Sequence, residues 1–201
     1  MNARLFIEQF PWSRFGHGYG TASDLKPRYA AIANGTAERA DYEYIIYRIE
    51  HQATLFWVTP PALLLTCALL GEHGTDKNLL LQHVRTIFEA ANYNRKCDLA
   101  RGHTSSPRML AKYAEVTATL LADNFDGSMT SDFIARYKSL NRQTFVHVMV
   151  LDIIKQHMGL FESFTTSDDG AVAETAKALC AAIAKPRTFK FTTETGEIQV
   201  F

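Results

Sequence analysis

The chain has 201 residues, of which 47% are hydrophobic, 21% are charged and 11% are aromatic. This length suits one domain with its own core, and the composition lies outside the charge-rich, hydrophobicity-poor range that keeps segments disordered. The 21 basic and 21 acidic side chains cancel, so the whole molecule has no field that would draw it to nucleic acid or to an acidic membrane. Any such binding must come from a local patch.

The three cysteines, Cys67, Cys97 and Cys180, are far apart and never form a C-x-x-C pair. This pattern argues against a disulfide framework or a structural zinc site and favours a reducing compartment. The N-terminal stretch contains Glu8 and no small-residue cleavage site, so it makes a poor signal peptide. We therefore expect a cytoplasmic protein.

One uncharged stretch, Gln52–Gly71, has the 20 residues that a membrane span requires. Pro60 and Pro61 interrupt it, Glu50 and Glu72 flank it, and no cluster of basic residues orients it. We expect two buried helices that meet at the prolines, and no membrane insertion.

In chain order, the apolar segment 3–10 precedes Pro11 and favours a strand over a single helical turn. Residues 12–27 include the glycine-rich run Gly16–Gly20 and end at Pro27, which is typical of an irregular loop.

A helix is predicted after Thr36 from the spacing of Ile45, Ile49 and Phe56. A second helix begins at Pro60 and stops at Gly71.

A third helix is predicted with Thr75 as its N-cap. Its core stripe consists of Leu80, Val84, Ile87 and Ala91. The next helix opens at Ser106-Pro107, and a short one follows over 133–140.

The segment Arg142–Phe164 is apolar nearly all the way round, which predicts a central buried helix, with part of it as a strand as the alternative. Residues 167–169 supply the cap of a final helix that ends before Pro186. The buried face of that helix is Val172, Ala176, Leu179 and Ile183.

Hydrophobic alternation in Thr188–Thr192 and Glu197–Phe201 predicts a C-terminal hairpin. Its register would place Phe191 opposite Ile198 and Phe189 opposite Val200. A lone hairpin is marginal in water, so we expect it to pack on the helices, with segment 3–10 as the candidate third strand.

The sequence thus predicts a single mainly α domain over residues 1–201. Its architecture would be a helical bundle of about six or seven helices with a small antiparallel β-hairpin or sheet formed by the termini, residues 186–201 making the hairpin.

The sequence contains no recognisable catalytic, nucleotide-binding or metal-binding motif. The Gly16–Gly20 run has Thr21 where a dinucleotide loop needs its third glycine, so an ordinary turn is expected. Cys97 and His103 share one loop, but no second ligand pair completes a zinc site, and His147 lies among apolar neighbours as a core histidine would. We therefore predict no catalytic residue, no metal and no cofactor.

The segment 94–112 is the one patch with a strong local charge. It carries Arg95, Lys96, Arg101, Arg108 and Lys112 against the single acidic residue Asp98, and Tyr93 and Tyr113 flank it. Basic side chains beside aromatic rings suit phosphate or single-stranded nucleic acid. The alternative is a solvated basic loop between two helices.

The leading hypothesis is a non-catalytic binding protein, a regulator, inhibitor or complex subunit that acts through protein–protein contacts. It depends on the missing chemical motifs and on aromatic residues of the types enriched in interface hot spots. These are Trp12, Phe15, Tyr19, Tyr44 and Tyr47. The alternative is a nucleic-acid-associated protein that uses segment 94–112, and the second alternative is an enzyme whose residues converge only in space. The sequence leaves the partner and the oligomeric state open.

Overall fold

A computed structural model describes residues 1–100, the single positions 111, 114, 115 and 118, and residues 142–185, 189–193 and 196–200. Side chains are described for the same residues except 142–145 and the last two ranges. The predicted helices that open at Ser106 and cover 133–140 lie outside these residues, apart from the four single positions, which have helical backbone.

The described chain is mainly helical, as the sequence predicts. The helices are α1 Ala3–Gln9, α2 Leu25–Ala33, α3 Arg39–Ile49, α4 Thr59–Leu70, α5 Lys77–Ala100, α6 Arg142–Gln156, α7 Met158–Ser163 and α8 Gly170–Ala184. Antiparallel pairs are formed by β1 Gly16–His17 with β2 Gly20–Thr21, β3 Glu50–His51 with β4 Thr54–Leu55, and β5 Phe189–Thr193 with β6 Gly196–Val200. Short 3₁₀ turns cover Trp12–Arg14, Ala22–Asp24 and Phe164–Thr166. None of the described helices is both long and apolar enough to span a membrane.

The prediction of a strand at residues 3–10 is wrong, because the segment forms helix α1. Asn2 caps it by accepting a hydrogen bond from the Leu5 N–H. The buried positions are Ala3, Phe6, Ile7 and Phe10, which follow helical and not strand spacing. Segment 3–10 is therefore no third strand for the C-terminal pair.

Helix α2 begins at Leu25, within the last three residues of the segment 12–27 that was predicted as an irregular loop. Proline is compatible with the first turn of a helix, where its missing N–H costs no intrahelical bond. Leu25, Tyr29 and Ile32 are fully buried on one side of α2, and this helix packs against α1 and α3.

Helix α3 ends at Ile49, earlier than predicted, and Phe56 lies beyond the β3–β4 pair. The two turn residues between these strands, Gln52 and Ala53, have φ of 50° and 61°. Positive φ at both positions defines a tight hairpin turn that favours Asn-Gly over these side chains. The uncharged stretch 52–71 therefore contains one helix, not two.

Helix α4 begins at the proline pair and ends before Gly71, as predicted. Its start is fixed by Thr59, whose hydroxyl donates to the Ile49 carbonyl and accepts from the Phe56 N–H. Nearly every residue of α4 is buried, and α1, α5 and α6 pack against it. This helix is buried on all sides.

Helix α5 carries the predicted core stripe, and all four of its residues are fully buried. Its cap is Asp76 and not Thr75, because Asp76 accepts from the Leu79 N–H. The helix continues to Ala100 and packs against α4, α6 and α8.

The predicted helix Arg142–Phe164 is divided into α6 and α7 at His157, whose side chain contacts the Ile153 carbonyl. Only one side of α6 is buried, in contrast to the expectation that it is central. Its buried side chains are Val146, His147, Met149, Val150, Ile153 and Ile154, whereas Leu151 is half-buried.

Helix α8 begins after Asp169, whose carboxylate accepts from the Ala171 and Val172 N–H groups. Val172, Ala176 and Leu179 are buried and Ile183 is half-buried.

Strands β5 and β6 pair with Phe189 opposite Val200 and Phe191 opposite Ile198. The side chains of these strands lie outside the described residues. Their docking on the helices stays a prediction, and so does the bundle arrangement of the helices.

Candidate functional site

Trp12 and Phe15, predicted as interface residues, are only 3% and 4% exposed, so that prediction is wrong for both. The Trp12 ring stacks on Tyr29 with centroids 5.6 Å apart, and its Nε1–H donates to the Ile7 carbonyl at 2.9 Å. Burial of a large aromatic ring stabilises the fold when the one polar group of the ring keeps a hydrogen bond. These two residues belong to the core.

Tyr19 and Tyr47 instead lie at the surface, 46% and 51% exposed. Tyr19 lies in the turn between β1 and β2, and Tyr47 lies on α3. Their rings are stacked, with centroids 5.0 Å apart and an interplanar angle of 18°. Two exposed rings from separate elements thus form one ordered surface.

His51 supports this pair from the side. Its ring centroid is 4.9 Å from that of Tyr47 and 5.6 Å from that of Tyr19, and its Nδ1 lies 3.2 Å from the Tyr19 hydroxyl. The three centroids form a nearly equilateral triangle. His51 therefore lies beside the stack, not over the outer face of Tyr47.

Two arginines continue the stack inward. The Arg48 Cζ lies 4.5 Å from the Tyr19 centroid and 4.6 Å from the Tyr44 centroid, and the Arg28 Cζ lies 5.1 Å from the Tyr44 centroid. These are cation–π distances. We call the series Arg28, Tyr44, Arg48, Tyr19 and Tyr47 the Arg–Tyr ladder.

Asp24 ties the ladder to the β1–β2 pair. Its carboxylate accepts from the Tyr44 hydroxyl at 2.7 Å, lies 3.6 Å from the Arg48 Nε, and contacts the His17 Nε2 at 3.0 Å. His17 is buried, and its Nδ1 accepts from the Tyr19 N–H at 3.0 Å. Because Nδ1 accepts, the proton lies on Nε2, and both ring nitrogens are occupied in holding Tyr19.

Each arginine of the ladder is neutralised by an aspartate. Arg28 binds Asp41, and Arg48 pairs with Asp24. Partial burial raises the pKa of Asp24, but the hydrogen bonds from Tyr44 and His17 and the charge of Arg48 lower it more, so the pKa lies below its ordinary value. The hydrogen bond from the Glu38 N–H and the pairing with Arg28 likewise lower the pKa of Asp41. Both carboxylates are therefore ionised near neutral pH, and the ladder together with its two aspartates carries no net charge.

Gly18 seats the β1–β2 turn against the core. A Cβ atom at this position would lie 2.8 Å from the Phe56 ring, so no larger residue fits without displacing a buried side chain. The close approach of backbone to ring fixes the neighbouring Tyr19 over α3. The glycine-rich run therefore positions an aromatic side chain, and it is an ordinary turn, as expected.

The basic segment is described only in part. Tyr93 is 60% exposed, Arg95 and Lys96 are exposed, and all three lie on α5. Arg95 and Lys96 were expected on a loop, but the helix continues to Ala100. The remaining residues of the predicted patch lie outside the described residues. They are Arg101, Arg108, Lys112 and Tyr113.

A cavity of about 130 Å³ lies between the β3–β4 pair, the end of α5 and the start of α6. Its lining is Thr54, Leu55, Asn94, Cys97, Asp98, Val146 and His147. Asn94 closes one side by donating to the Ala53 and Ala90 carbonyls. The cavity is well below the roughly 300–1,000 Å³ of typical ligand pockets.

His147 is buried, as predicted, and its Nε2 lies 3.5 Å from Asp98 Oδ2. An imidazole oriented by a carboxylate can act as a base, and Cys97 contributes a thiol to the same wall. The described residues contain no group of three side chains that could hold a metal ion, and His103 lies outside them. Among the described residues, this wall therefore brings together an imidazole, a carboxylate and a thiol.

Residue type alone indicated Tyr19, Tyr44 and Tyr47, but it did not indicate the residues that hold them. A signal was present, because Tyr44 and Arg48 are four residues apart on one helix and therefore neighbours. No protein-family model matches the chain, and comparison with curated proteins and with solved structures finds no similar one.

Proposed function

We propose that this protein is a non-catalytic binding protein that acts through contacts with another protein, and that the outer end of the Arg–Tyr ladder is its contact surface. The observation that carries the proposal is the exposed, ordered stack of Tyr19 on Tyr47. Tyrosine and arginine are the residue types that most often carry binding energy at protein interfaces.

The ladder lowers the entropic cost of binding. An exposed side chain that becomes fixed in a complex costs about 0.5–1.5 kcal/mol of conformational freedom. Tyr19 is already held by Arg48, by His51 and by its backbone bond to His17, and Tyr47 is stacked on it. Much of this cost is therefore met before the partner arrives.

The first experiment compares three tagged full-length chains in the cells that produce the protein: the unmodified chain, Tyr47→Ala and Tyr93→Ala. Tyr93 is the matched control, since it is an exposed tyrosine outside the ladder. We expect a partner that is recovered with the unmodified chain and with Tyr93→Ala, and lost with Tyr47→Ala. With the purified partner, Tyr47→Ala should weaken the dissociation constant about 30-fold, as truncation of a hot-spot residue does.

Equal affinity of the purified partner for the unmodified chain and for Tyr47→Ala would contradict the proposal. Thermal unfolding followed by circular dichroism checks that the variant is folded, and an exposed substitution should change stability by only about 0.5 kcal/mol.

The second candidate function is binding of nucleic acid through segment 94–112. The exposed Tyr93, Arg95 and Lys96 on α5 favour it. Replacing Arg95, Lys96 and Arg101 with Ala should then reduce binding to a single-stranded oligonucleotide and flatten its salt dependence, by up to about 0.7 in log–log slope per lost phosphate contact. Absence of salt-sensitive binding by the unmodified protein at low ionic strength would exclude this function.

A further inference from the structure

We propose that the outer face of Tyr47 receives an arginine side chain of the partner protein. This inference rests on the proposed function, because it assigns the chemistry recognised at the same surface. It follows from three features of the ladder: the face left open, the charges beside it and the spacing of the rings.

The open face is defined by the ring contacts. Tyr19 covers one face of Tyr47, and the triangular arrangement places His51 at its side. Tyr47 is 51% exposed, and no ring or cation of the described residues contacts its opposite face. Each inner tyrosine of the ladder already contacts a guanidinium, so a guanidinium on Tyr47 repeats a contact that the molecule makes three times.

Two carboxylates lie close to Tyr47 along the chain. Glu43 is four residues before it on α3, which makes it a neighbour at helical spacing. Glu50 is three residues after it, just past the end of α3 and at the start of β3. Glu43 pairs with the exposed Arg39, and such surface pairs are weak and readily exchanged. Glu50 bonds only to the backbone N–H of Ala53, and no cation pairs with it among the described residues. These two carboxylates therefore favour a cationic group beside Tyr47.

The geometry disfavours two other guests. Proline-rich segments dock into grooves between aromatic rings, and the 5.0 Å stack of Tyr19 on Tyr47 leaves no gap between them. Phosphates need uncompensated cations, and both ladder arginines are paired with Asp24 and Asp41. Arginine, with a planar cation that stacks on aromatic faces, fits best.

The test selects peptides from a random displayed library on the full-length protein and counts those that fail to bind Tyr47→Ala. We expect arginine at a fixed position in the Tyr47-dependent peptides. Tyr47-dependent peptides that share another residue type would overturn the arginine inference and leave the proposed function standing. Recovery of only Tyr47-independent peptides would overturn both.

A selected peptide is then synthesised with citrulline in place of its arginine, which keeps the planar shape and removes the charge. We expect about three- to tenfold weaker binding, the range of an exposed to partly desolvated cation–π contact. Equal binding of the two peptides would overturn the inference.

Two further variants separate charge from apolar contact. Tyr47→Leu keeps a large apolar side chain and should lose the preference for arginine over citrulline. Glu50→Gln keeps the oxygen that accepts from Ala53 and should weaken binding a few-fold, whereas Glu72→Gln, an exposed control elsewhere, should not. A preference for arginine that persists in Tyr47→Leu would overturn the assignment to this ring.

Discussion

His83 lies on α5 with its ring enclosed in the core, and its Nδ1 has no hydrogen-bond partner among the described residues. Burial lowers the pKa of this histidine to about 4, against an opposing effect of a hydrogen bond with the Tyr42 backbone. The ring is therefore neutral at physiological pH. Protonation inside the core would require a charge without a partner there.

The lowered pKa of His83 predicts that the folded protein is less stable in acid. Between pH 6.5 and about 4 the unfolded chain binds a proton that the folded chain does not, so the free energy of unfolding falls as pH falls through this window. The loss at the lower end is about 3 kcal/mol. Urea unfolding of the unmodified protein and of His83→Phe at pH 7 and pH 4.5 measures it. The variant should show the smaller difference between the two pH values.

Substitution of the exposed His73 by Gln is the control and should leave the pH dependence unchanged. An equal loss of stability in the unmodified protein and His83→Phe would show that other groups cause the acid sensitivity.

Residue type alone predicted part of the candidate site. Tyr19 and Tyr47 were expected at the surface and are there, whereas Trp12 and Phe15 are buried. The reason is that a loop with several aromatic residues can turn either side inward. Which rings are covered depends on contacts with distant elements, such as the packing of Trp12 on Tyr29.

At the scale of elements, the core face of α6 determines what its substitutions cost. Ile154 is 1% exposed, while Leu151 is half-buried. Ile154→Ala should lower the free energy of unfolding by about 2–5 kcal/mol, because it leaves a cavity in a packed interior. Leu151→Ala should cost clearly less. Urea midpoints of the two variants measure the contrast, and a larger loss for Leu151→Ala would show that α6 presents another face to the core.

Strong periodicity predicted some elements well, and local signals failed for others. The α5 stripe was predicted because its apolar spacing repeats over several turns. The start of α4 was predicted because proline suits the first turn of a helix. Helix α1 was missed because its seven residues are too few for the period to stand out. The β3–β4 turn was missed because Gln52 and Ala53 are unusual residues at positive φ.

At the scale of the whole molecule, the rate at which the Cys67 thiol is modified measures global unfolding of the protein. It lies on α4, which is buried on all sides, and burial raises the pKa of its thiol. Only the thiolate reacts readily. With iodoacetamide under native conditions, the half-buried Cys97 and Cys180 should therefore be modified first. Modification of Cys67 should follow the rate of global unfolding.

Peptide mapping by mass spectrometry over time, with and without urea, measures these rates. The Cys67→Ala variant serves as the control, since it should leave the modification of the other two cysteines unchanged. Modification of Cys67 as fast as that of Cys180 in the native protein would show that α4 opens locally.

The position of the Arg–Tyr ladder in the sequence also has a consequence for how this surface can evolve. All of its side chains, with the aspartates and histidines that hold them, lie between His17 and His51. A single short stretch of coding sequence therefore specifies the surface. Under the proposed function, recombination or drift confined to that stretch would change partner choice while α4 to α8 remain as they are, provided that core residues such as Tyr29 and Ile45 are kept.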